Sequence, residues 1–301
     1  MIKNVILCGL GAVGCVYANK ISKCAQTDLR ILVDETRLDK YTKNPMMLNG
    51  KPLNLKYILP NVSDFIADLI IITTKFDGLE SAIKNIKNFV GDNTVILSLL
   101  NGVTSENLIA NVYGKDKVLF SYWIGHSAMR EGNNVIHDGV GTIVFGSKDF
   151  RNDRVNLVRE FFENAGIEYE IPDDIEYKLW LKFMLNVSTN QPSAIYKTTF
   201  GEMQDNPEIM QLVTNLMKEV QSVAKAEGVK NTQIMIDEAL KTLKTMTPEG
   251  KTSMLQDVLA KRKTEVNMFA GTIIELGKKY NILTPYNEMM KERIEEIEEN
   301  R

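Results

Sequence analysis

Three polar side chains recur every four residues in an otherwise apolar stretch of this 301-residue chain. Lys182, Asn186 and Asn190 lie within EYKLWLKFMLNVSTNQPSAIY. On a helix they form one stripe that drifts by about 40° per step. A buried ammonium and two amides need polar partners, which an anionic, oxygen-rich ligand would supply. The alternative is that Lys182 reaches the surface and the asparagines cap a helix interrupted near Pro192.

A second pair of polar residues lies in TPEGKTSMLQDVLAKRKTEVNMFAG. Ser253 stands near the start of a long helix that Pro248 is expected to begin, where free backbone N–H groups and a hydroxyl can receive a carboxylate. Glu265 follows twelve residues later, roughly 120° round an ideal helix, so the two would reach one ligand from different sides. The alternative is a capping serine and a solvated glutamate.

A glycine-rich turn near the start of the chain predicts a dinucleotide site. The apolar run at residues 3–7 leads directly into the GxGxxG sequence formed by Gly9, Leu10, Gly11, Ala12, Val13 and Gly14. These glycines allow a tight turn, close approach of a pyrophosphate and packing of helix on strand. Asp34 ends a second apolar run twenty residues after Gly14, where a carboxylate can bind a ribose hydroxyl.

The opening VILCGLGAVGC could instead be a secretory signal ending in a lipid-modified Cys15. Its apolar region is broken by glycine, and position 12 is Ala where such a site prefers Leu. The three cysteines, Cys8, Cys15 and Cys24, form no CxxC pair and suit a reducing cytoplasm. We therefore interpret the stretch as a strand and phosphate-binding turn retained in the protein.

Strands and helices alternate in the first half of the chain, which predicts the elements that position these residues. LIIITTK at 69–75 and TVILSLLNG at 94–102 are typical of buried strands, and they place Lys75 and Asn101 at strand ends. Asn49-Gly50 predicts a small hairpin, and residues 133–146 a second hairpin that completes the sheet. A helix is expected from Arg151 to Ala165, ended by Gly166.

Helical periodicity takes over after residue 171. We therefore predict an α/β fold with an N-terminal Rossmann-type doubly wound sheet over residues 1–171 and an all-α substrate domain over residues 172–301.

The composition of the chain limits the kinds of partner that the protein can bind. The chain is 44% apolar and 25% charged with a net charge of −3, which gives no basic field for nucleic acid. No apolar run reaches the roughly 18 residues that span a bilayer. With two histidines, His126 and His137, and scattered cysteines, we expect no metal site. The expected protein is soluble and cytoplasmic, with a small-molecule substrate and neither membrane nor nucleic-acid partners.

Together these residues resemble the ketopantoate reductase (2-dehydropantoate 2-reductase) family over nearly the whole chain. The resemblance is carried by GLGAVG, TTK at 73–75, NG at 101–102, HSAMREG at 126–132, LWLKFMLNVSTNQPSAI at 179–195, and SMLQD with TEVN at 253–267. It implies a cytoplasmic enzyme of pantothenate biosynthesis that reduces ketopantoate to pantoate with NAD(P)H, NADPH being the cofactor that the family pattern favours. It also implies that the chain can form a homodimer.

The resemblance also implies roles for individual residues. Lys182 would be the proton donor, with Glu265 as a second catalytic residue. The implied substrate-binding residues are Asn101, Asn186, Asn190 and Ser253. The implied cofactor-binding residues are Gly9 to Gly14, Lys75, Asn101, Ala128 and Glu265, to which the spacing of the glycine turn adds Asp34.

Two positions depart from the family pattern. Asp34 and Glu35 stand where the family usually has an Arg for the 2′-phosphate of NADP, and their charge favours NADH, although Arg37 is close enough to offset it. Phe200 replaces a substrate-binding asparagine and favours a more apolar pocket. An NADH-dependent reductase of another branched or aromatic 2-oxo acid, with D-2-hydroxyacid dehydrogenase activity, is therefore the alternative.

Three other functions fit the sequence less well. Tyr113 and Lys117 match the Tyr-x-x-x-Lys pattern of short-chain dehydrogenases, but Gly-Lys-Asp between them is typical of a turn. A methyltransferase would share the glycine turn and leave the Lys182 stripe unexplained. A cofactor sensor without turnover would not need Lys182, Ser253 and Glu265.

Overall fold

The computed structural model describes residues 1–125, 128–148 and 152–300. The chain divides into two units, Met1–Ile175 and Glu176–Arg301. The predicted boundary after residue 171 stays a prediction. Two of the predicted features, the start of HSAMREG and the start of the helix at Arg151, lie outside the described residues.

Twelve strands and twelve α-helices make up the described fold. The strands are β1 (Asn4–Cys8), β2 (Asp28–Leu32), β3 (Met47–Leu48), β4 (Lys51–Pro52), β5 (Lys56–Ile58), β6 (Ala67–Ile72), β7 (Val90–Ser98), β8 (Val118–Ile124), β9 (Ala128–Glu131), β10 (Asn134–His137), β11 (Thr142–Gly146) and β12 (Tyr169–Glu170). The helices are α1 (Ala12–Ile21), α2 (Glu35–Lys43), α3 (Leu79–Asn85), α4 (Ser105–Tyr113), α5 (Asp153–Ala165), α6 (Ile175–Tyr196), α7 (Phe200–Gln204), α8 (Pro207–Ala226), α9 (Met235–Lys244), α10 (Ser253–Leu259), α11 (Thr272–Tyr280) and α12 (Pro285–Glu299).

The first unit is built on an eight-stranded sheet in the order β12-β11-β8-β7-β6-β1-β2-β5. Its neighbouring strands are parallel except β11 and β8, which are antiparallel. Alternate residues of β1 enter different cores, Val5 and Leu7 on one face and Ile6 and Cys8 on the other. Burial of both faces is typical of a parallel sheet covered by helices. The predicted doubly wound N-terminal sheet is confirmed.

The carboxyl ends of β1, β2, β6 and β7 meet at one edge because these neighbours are parallel. Gly9, Asp34, Lys75 and Asn101 each lie in the segment that follows one of these strands. The sheet therefore brings the glycine turn and the predicted cofactor residues to the same edge.

A second, four-stranded sheet has the order β4-β3-β10-β9. The predicted Asn49-Gly50 hairpin is present between β3 and β4, with positive φ at both residues, as a type I′ turn requires. The predicted hairpin over residues 133–146 is wrong. β10 pairs with β9 through a turn at Gly132, where φ is +63°, whereas β11 joins β8 in the large sheet.

The helix over residues 153–165 ends at Gly166, whose φ of 60° is left-handed. This agrees with the predicted stop, since glycine adopts that conformation without steric cost. α8 begins as expected, with the Asn206 side chain accepting hydrogen bonds from the N–H groups of Glu208 and Ile209 and Pro207 in the first turn.

The second unit consists of helices from α6 onward, and Leu212, Leu216 and Met290 form a buried cluster within it. The predicted all-α character of the C-terminal domain is therefore confirmed. None of the helices within the described ranges has the length and apolar character needed to cross a membrane.

The predicted long helix from Pro248 is wrong. α10 covers seven residues from Ser253 to Leu259. It ends because Lys261 adopts a left-handed φ of 53°, with its N–H bonded to Val258 O and that of Arg262 to Asp257 O. This is a Schellman motif, and the Arg262 side chain reinforces it with a 2.7 Å bond to Asp257 Oδ1.

Candidate active site

A cleft of about 440 Å³ opens at the carboxyl edge of the large sheet. Its lining combines the glycine turn with the ends of β2 and β6, and the lining residues that bear on binding are Gly9, Leu10, Gly11, Asp34, Arg37, Thr73, Thr74, Lys75 and Arg130. The fold thus brings five of the predicted cofactor residues together.

The three glycines of the turn differ in the physical reason for which glycine occupies the position. Gly9 has a φ of 102°, which only glycine adopts without strain, and a Cβ on Gly14 would lie 2.0 Å from Gly9 O. Gly11 has an ordinary φ of −74°, and a Cβ there would find its nearest neighbour at 3.9 Å. Protein packing therefore does not require glycine at 11, whereas close approach of a pyrophosphate to the protein backbone would require it. The turn fits a dinucleotide diphosphate.

Two threonines and an arginine in the cleft were missed by sequence reasoning. Thr73 Oγ1 lies 2.7 Å from Gly9 O, and Arg130 Nη1 donates to Leu10 O at 2.7 Å. Thr74 Oγ1 is buried without a hydrogen-bond partner among the described residues. TTK and HSAMREG contained the signal, but local sequence does not show which strand ends meet.

Asp34 is the N-cap of α2 as well as a cleft residue. Its Oδ1 accepts a bond from the Arg37 N–H at 2.7 Å, and its Oδ2 pairs with Arg37 Nη1 at 2.5 Å. The two side chains are 45% and 63% exposed, so the ion pair is screened and easily rearranged. The carboxylate and the guanidinium both line the cleft.

The other predicted cofactor residues of the first unit do not line this cleft. Ala12, Val13 and Gly14 form the first turn of α1, and Asn101 follows β7. Ala128 begins β9 opposite His137, while His126 and Ser127 lie outside the described residues. Burial raises the pKa of the nearby Cys15 thiol to about 12, against the opposing charge of Arg130.

In the second unit, α6 is continuous from Ile175 to Tyr196 and includes Pro192. The alternative of an interrupted helix capped by asparagines is therefore wrong. Between residues 179 and 194, all side chains are buried except Lys182 and Asn186, which are partly exposed. Lys182 and Asn186 are thus the open positions of the polar stripe, and Asn190 is its buried end.

Asn190 and Ser253 come together in this unit, since Asn190 Nδ2 lies 3.4 Å from Ser253 Oγ. The N-cap of α10 is Thr252, whose hydroxyl accepts from the Leu255 N–H at 3.2 Å. Ser253 is therefore not the capping residue, and the capping alternative is wrong. Its exposed hydroxyl lies at the first turn of the helix, bonded to the α6 stripe.

Glu265 does not share a helix with Ser253, because the chain is non-helical from Ala260 to Glu265. Its carbonyl accepts bonds from the N–H groups of Met268 and Phe269, at the start of a new helical segment. That segment opens with a π-helix over Asn267–Gly271, and π-turns are frequent at functional sites. Because Ser253 and Glu265 lie on different segments, the predicted offset of roughly 120° on one helix is wrong.

Tyr113 and Lys117 do not form a catalytic pair. Tyr113 ends α4 and donates its hydroxyl to Ile83 O, whereas Lys117 lies in a 3₁₀ turn and donates to Asp92 O at 2.8 Å. This agrees with their interpretation as residues of a turn.

A doubly wound sheet with a GxGxxG turn, followed in the chain by a helical unit, defines a class of dinucleotide-binding proteins. Two family models match, ketopantoate reductase PanE/ApbA over residues 5–149 and ketopantoate reductase PanE/ApbA C terminal over residues 174–298. The chain belongs to the ketopantoate reductase family. It is an NAD(P)-dependent oxidoreductase of the 2-dehydropantoate 2-reductase type.

A curated relative agrees with this family, and two solved structures share the fold. A 2-dehydropantoate 2-reductase from Aquifex aeolicus is 32% identical over 238 residues, which is 76% of each chain. D-mandelate dehydrogenase with NADH and anilino(oxo)acetate has a TM-score of 0.86 at 22% identity, covering 99% of this chain and 98% of the other. A dimeric ketopantoate reductase from Staphylococcus aureus has a TM-score of 0.76 at 21% identity, covering 99% of both.

Proposed function

We propose that this enzyme reduces ketopantoate to pantoate with a nicotinamide cofactor. The observation that carries the proposal is the polar stripe of α6. Lys182 and Asn186 are its open positions, and Asn190 continues it to the Ser253 hydroxyl. A 2-oxo acid needs a donor for its ketone oxygen and polar groups for its carboxylate, and this set has both.

Each residue of the set has a separate task. Asn186 and Asn190 orient the ketone and hydroxyl oxygens of the substrate, and Ser253 with the first turn of α10 receives the carboxylate. In the first unit, the Gly9 to Gly14 turn holds the diphosphate, while Lys75, Asn101 and Ala128 line the cofactor. Asn101 contacts both ligands, and Glu265 completes the cofactor and catalytic set.

Lys182 supplies the proton. The nicotinamide, when bound, supplies a hydride to the ketone carbon. The Lys182 ammonium stabilises the negative charge that develops on the ketone oxygen and then transfers a proton to it, giving the 2-hydroxy acid. Unlike the mechanism of lactate-type dehydrogenases, this mechanism requires no histidine.

For the cofactor, we propose a preference for NADH over NADPH. Asp34 places negative charge where a 2′-phosphate would lie, and its two oxygens already bind Arg37. Because that ion pair is exposed, Arg37 can turn to a phosphate, so NADPH remains a substrate of lower efficiency.

A second substrate class is supported by Phe200. It begins α7, its N–H donates to Gly250 O at 3.0 Å, and a Cβ on Gly250 would lie 3.0 Å from its ring. The aromatic ring thus packs on the turn that precedes Ser253. An apolar wall there favours branched or aromatic 2-oxo acids, and the structural similarity to D-mandelate dehydrogenase points the same way.

We also propose that the enzyme is a homodimer, as the similar S. aureus reductase is described to be. Sedimentation at several protein concentrations would test this without reference to activity.

The experiment for the proposed function is a steady-state assay with NADH and with NADPH at 340 nm. The 2-oxo acid panel contains ketopantoate, 3-methyl-2-oxobutanoate and phenylglyoxylate, and pyruvate serves as a small-substrate control. We expect ketopantoate to give the highest kcat/KM. A higher value for phenylglyoxylate would establish the second substrate class instead, and no turnover with any of the acids would contradict both.

A further inference from the structure

Arg130 connects the small sheet to the glycine turn. It lies on β9, and its Nη1 donates to Leu10 O at 2.7 Å while its Nε donates to Gly132 O at 2.9 Å. One planar group is therefore fixed from two sides, by the β9–β10 turn and by the glycine turn. The same side chain lines the cofactor cleft.

Two successive carbonyls of the glycine turn are held in this way. Thr73 Oγ1 lies 2.7 Å from Gly9 O, and Arg130 holds Leu10 O. In a trans peptide the C=O and the following N–H point in opposite directions. Fixing these carbonyls therefore fixes the N–H groups of Leu10 and Gly11, which point away from Thr73 and Arg130 respectively.

The charge of Arg130 suits the ligand of the cleft. A dinucleotide diphosphate is anionic, and backbone N–H groups at a helix start bind such groups. A guanidinium has five N–H donors, of which the bonds to Leu10 and Gly132 use two. Charge-assisted bonds to phosphate are among the stronger hydrogen bonds in proteins.

We infer that Arg130 is a positioning residue for the cofactor diphosphate. It holds the Leu10 carbonyl so that the glycine turn keeps its N–H groups in a binding orientation, and it adds a positive charge to the cleft. The inference rests on the proposed function only in taking a nicotinamide dinucleotide as the ligand. The competing role is a purely structural one, in which Arg130 anchors the β9–β10 hairpin.

Binding without substrate separates these roles. Dissociation constants are measured by calorimetry for NADH and for ADP-ribose, which has the diphosphate but no nicotinamide. The proteins are wild type, Arg130→Gln, Arg130→Lys and Lys51→Gln. The last removes one exposed positive charge from β4 of the same small sheet and is the matched control.

We expect Arg130→Gln to raise both dissociation constants by a similar factor of about ten or more, as for a lost charge-assisted bond. Arg130→Lys keeps the charge but cannot bind both carbonyls in the same planar geometry, so its loss should be smaller. Lys51→Gln should stay within about twofold of wild type. Unfolding temperatures are recorded for every variant. If Arg130→Gln does not fold, the dissociation constants of Arg130→Lys are compared with those of wild type instead.

The inference is overturned if the folded variants bind NADH within twofold of wild type, since Arg130 would then act as an anchor alone. It is also overturned if NADH binding weakens while ADP-ribose binding does not. A wild-type protein that binds NADH but reduces no 2-oxo acid contradicts the proposed function and leaves this inference to the measured constants. A wild-type protein that binds neither ligand contradicts both.

Discussion

Lys182 lies on the one face of α6 that is open between residues 179 and 194, together with Asn186. Its proposed role requires both a positive charge and a transferable proton. Lys182→Ala should therefore lower kcat by about 10²–10⁴, the usual contribution of a general acid. Lys182→Arg keeps the charge but holds its proton too tightly, so it should restore little of the rate.

Lys178 provides the control for this prediction, since it lies one helical turn earlier on α6 and is also partly exposed. Lys178→Ala should leave kcat within about threefold, because it removes the same charge without the proposed proton donor. Circular dichroism checks that all three variants fold. Equal losses in Lys178→Ala and Lys182→Ala would show a general charge effect and contradict the assignment.

Asp34 decides the proposed cofactor preference at the scale of one side chain. Asp34→Ala should raise kcat/KM with NADPH relative to NADH by about tenfold or more, because it removes a negative charge facing a 2′-phosphate and releases Arg37. Asp39→Ala breaks a comparable exposed ion pair in α2, with Lys43, and should leave the ratio unchanged. An unchanged ratio in Asp34→Ala would refute the prediction.

The three cysteines differ in expected reactivity because burial favours the neutral thiol. Burial raises the pKa of Cys8 and of Cys15 to about 12, whereas the half-buried Cys24 has a smaller upward shift of its pKa. Native protein should thus react with a thiol reagent at Cys24 first, faster as pH rises towards 9. Mass spectrometry locates the label, and early labelling of Cys8 or Cys15 would contradict the burial.

At the scale of elements, residues with a distinct local conformation were predictable. Gly166 ends α5, and Asn206 with Pro207 begins α8, because each satisfies or removes backbone donors in a way its type allows. The end of α10 was not predictable in this way. Lys261 takes a left-handed conformation that its type does not favour, and the backbone and side-chain bonds between Asp257 and Arg262 hold it there.

That conformation yields a stability prediction. Lys261→Gly should raise the free energy of unfolding by about 0.5–1 kcal/mol, since glycine adopts a left-handed φ without the steric cost that Lys261 bears. Ala260→Gly is the matched control, because Ala260 has a φ of −87° and should lose a similar amount. Urea denaturation measures both, and a loss of stability in Lys261→Gly would contradict the Schellman geometry.

At the scale of the whole molecule, the doubly wound sheet of the first unit followed from the alternation of strand and helix. The assignment of strands to sheets did not. Residues 133–146 looked like one hairpin, yet β10 and β11 belong to different sheets because their partners, β9 and β8, are defined by pairings outside that stretch. Arg130 and Thr73 entered the candidate site by the same long-range pairing, which is why sequence spacing did not reveal them.

The central claim is hydride transfer from a nicotinamide cofactor to the ketone carbon of a 2-oxo acid. Its most direct test is turnover of ketopantoate with NADH carrying deuterium at both C4 positions, followed by mass spectrometry and NMR of the product. The account predicts pantoate with one deuterium at C2 and one oxidised cofactor for each pantoate formed. Cofactor oxidation without pantoate, or pantoate without deuterium at C2, would contradict it.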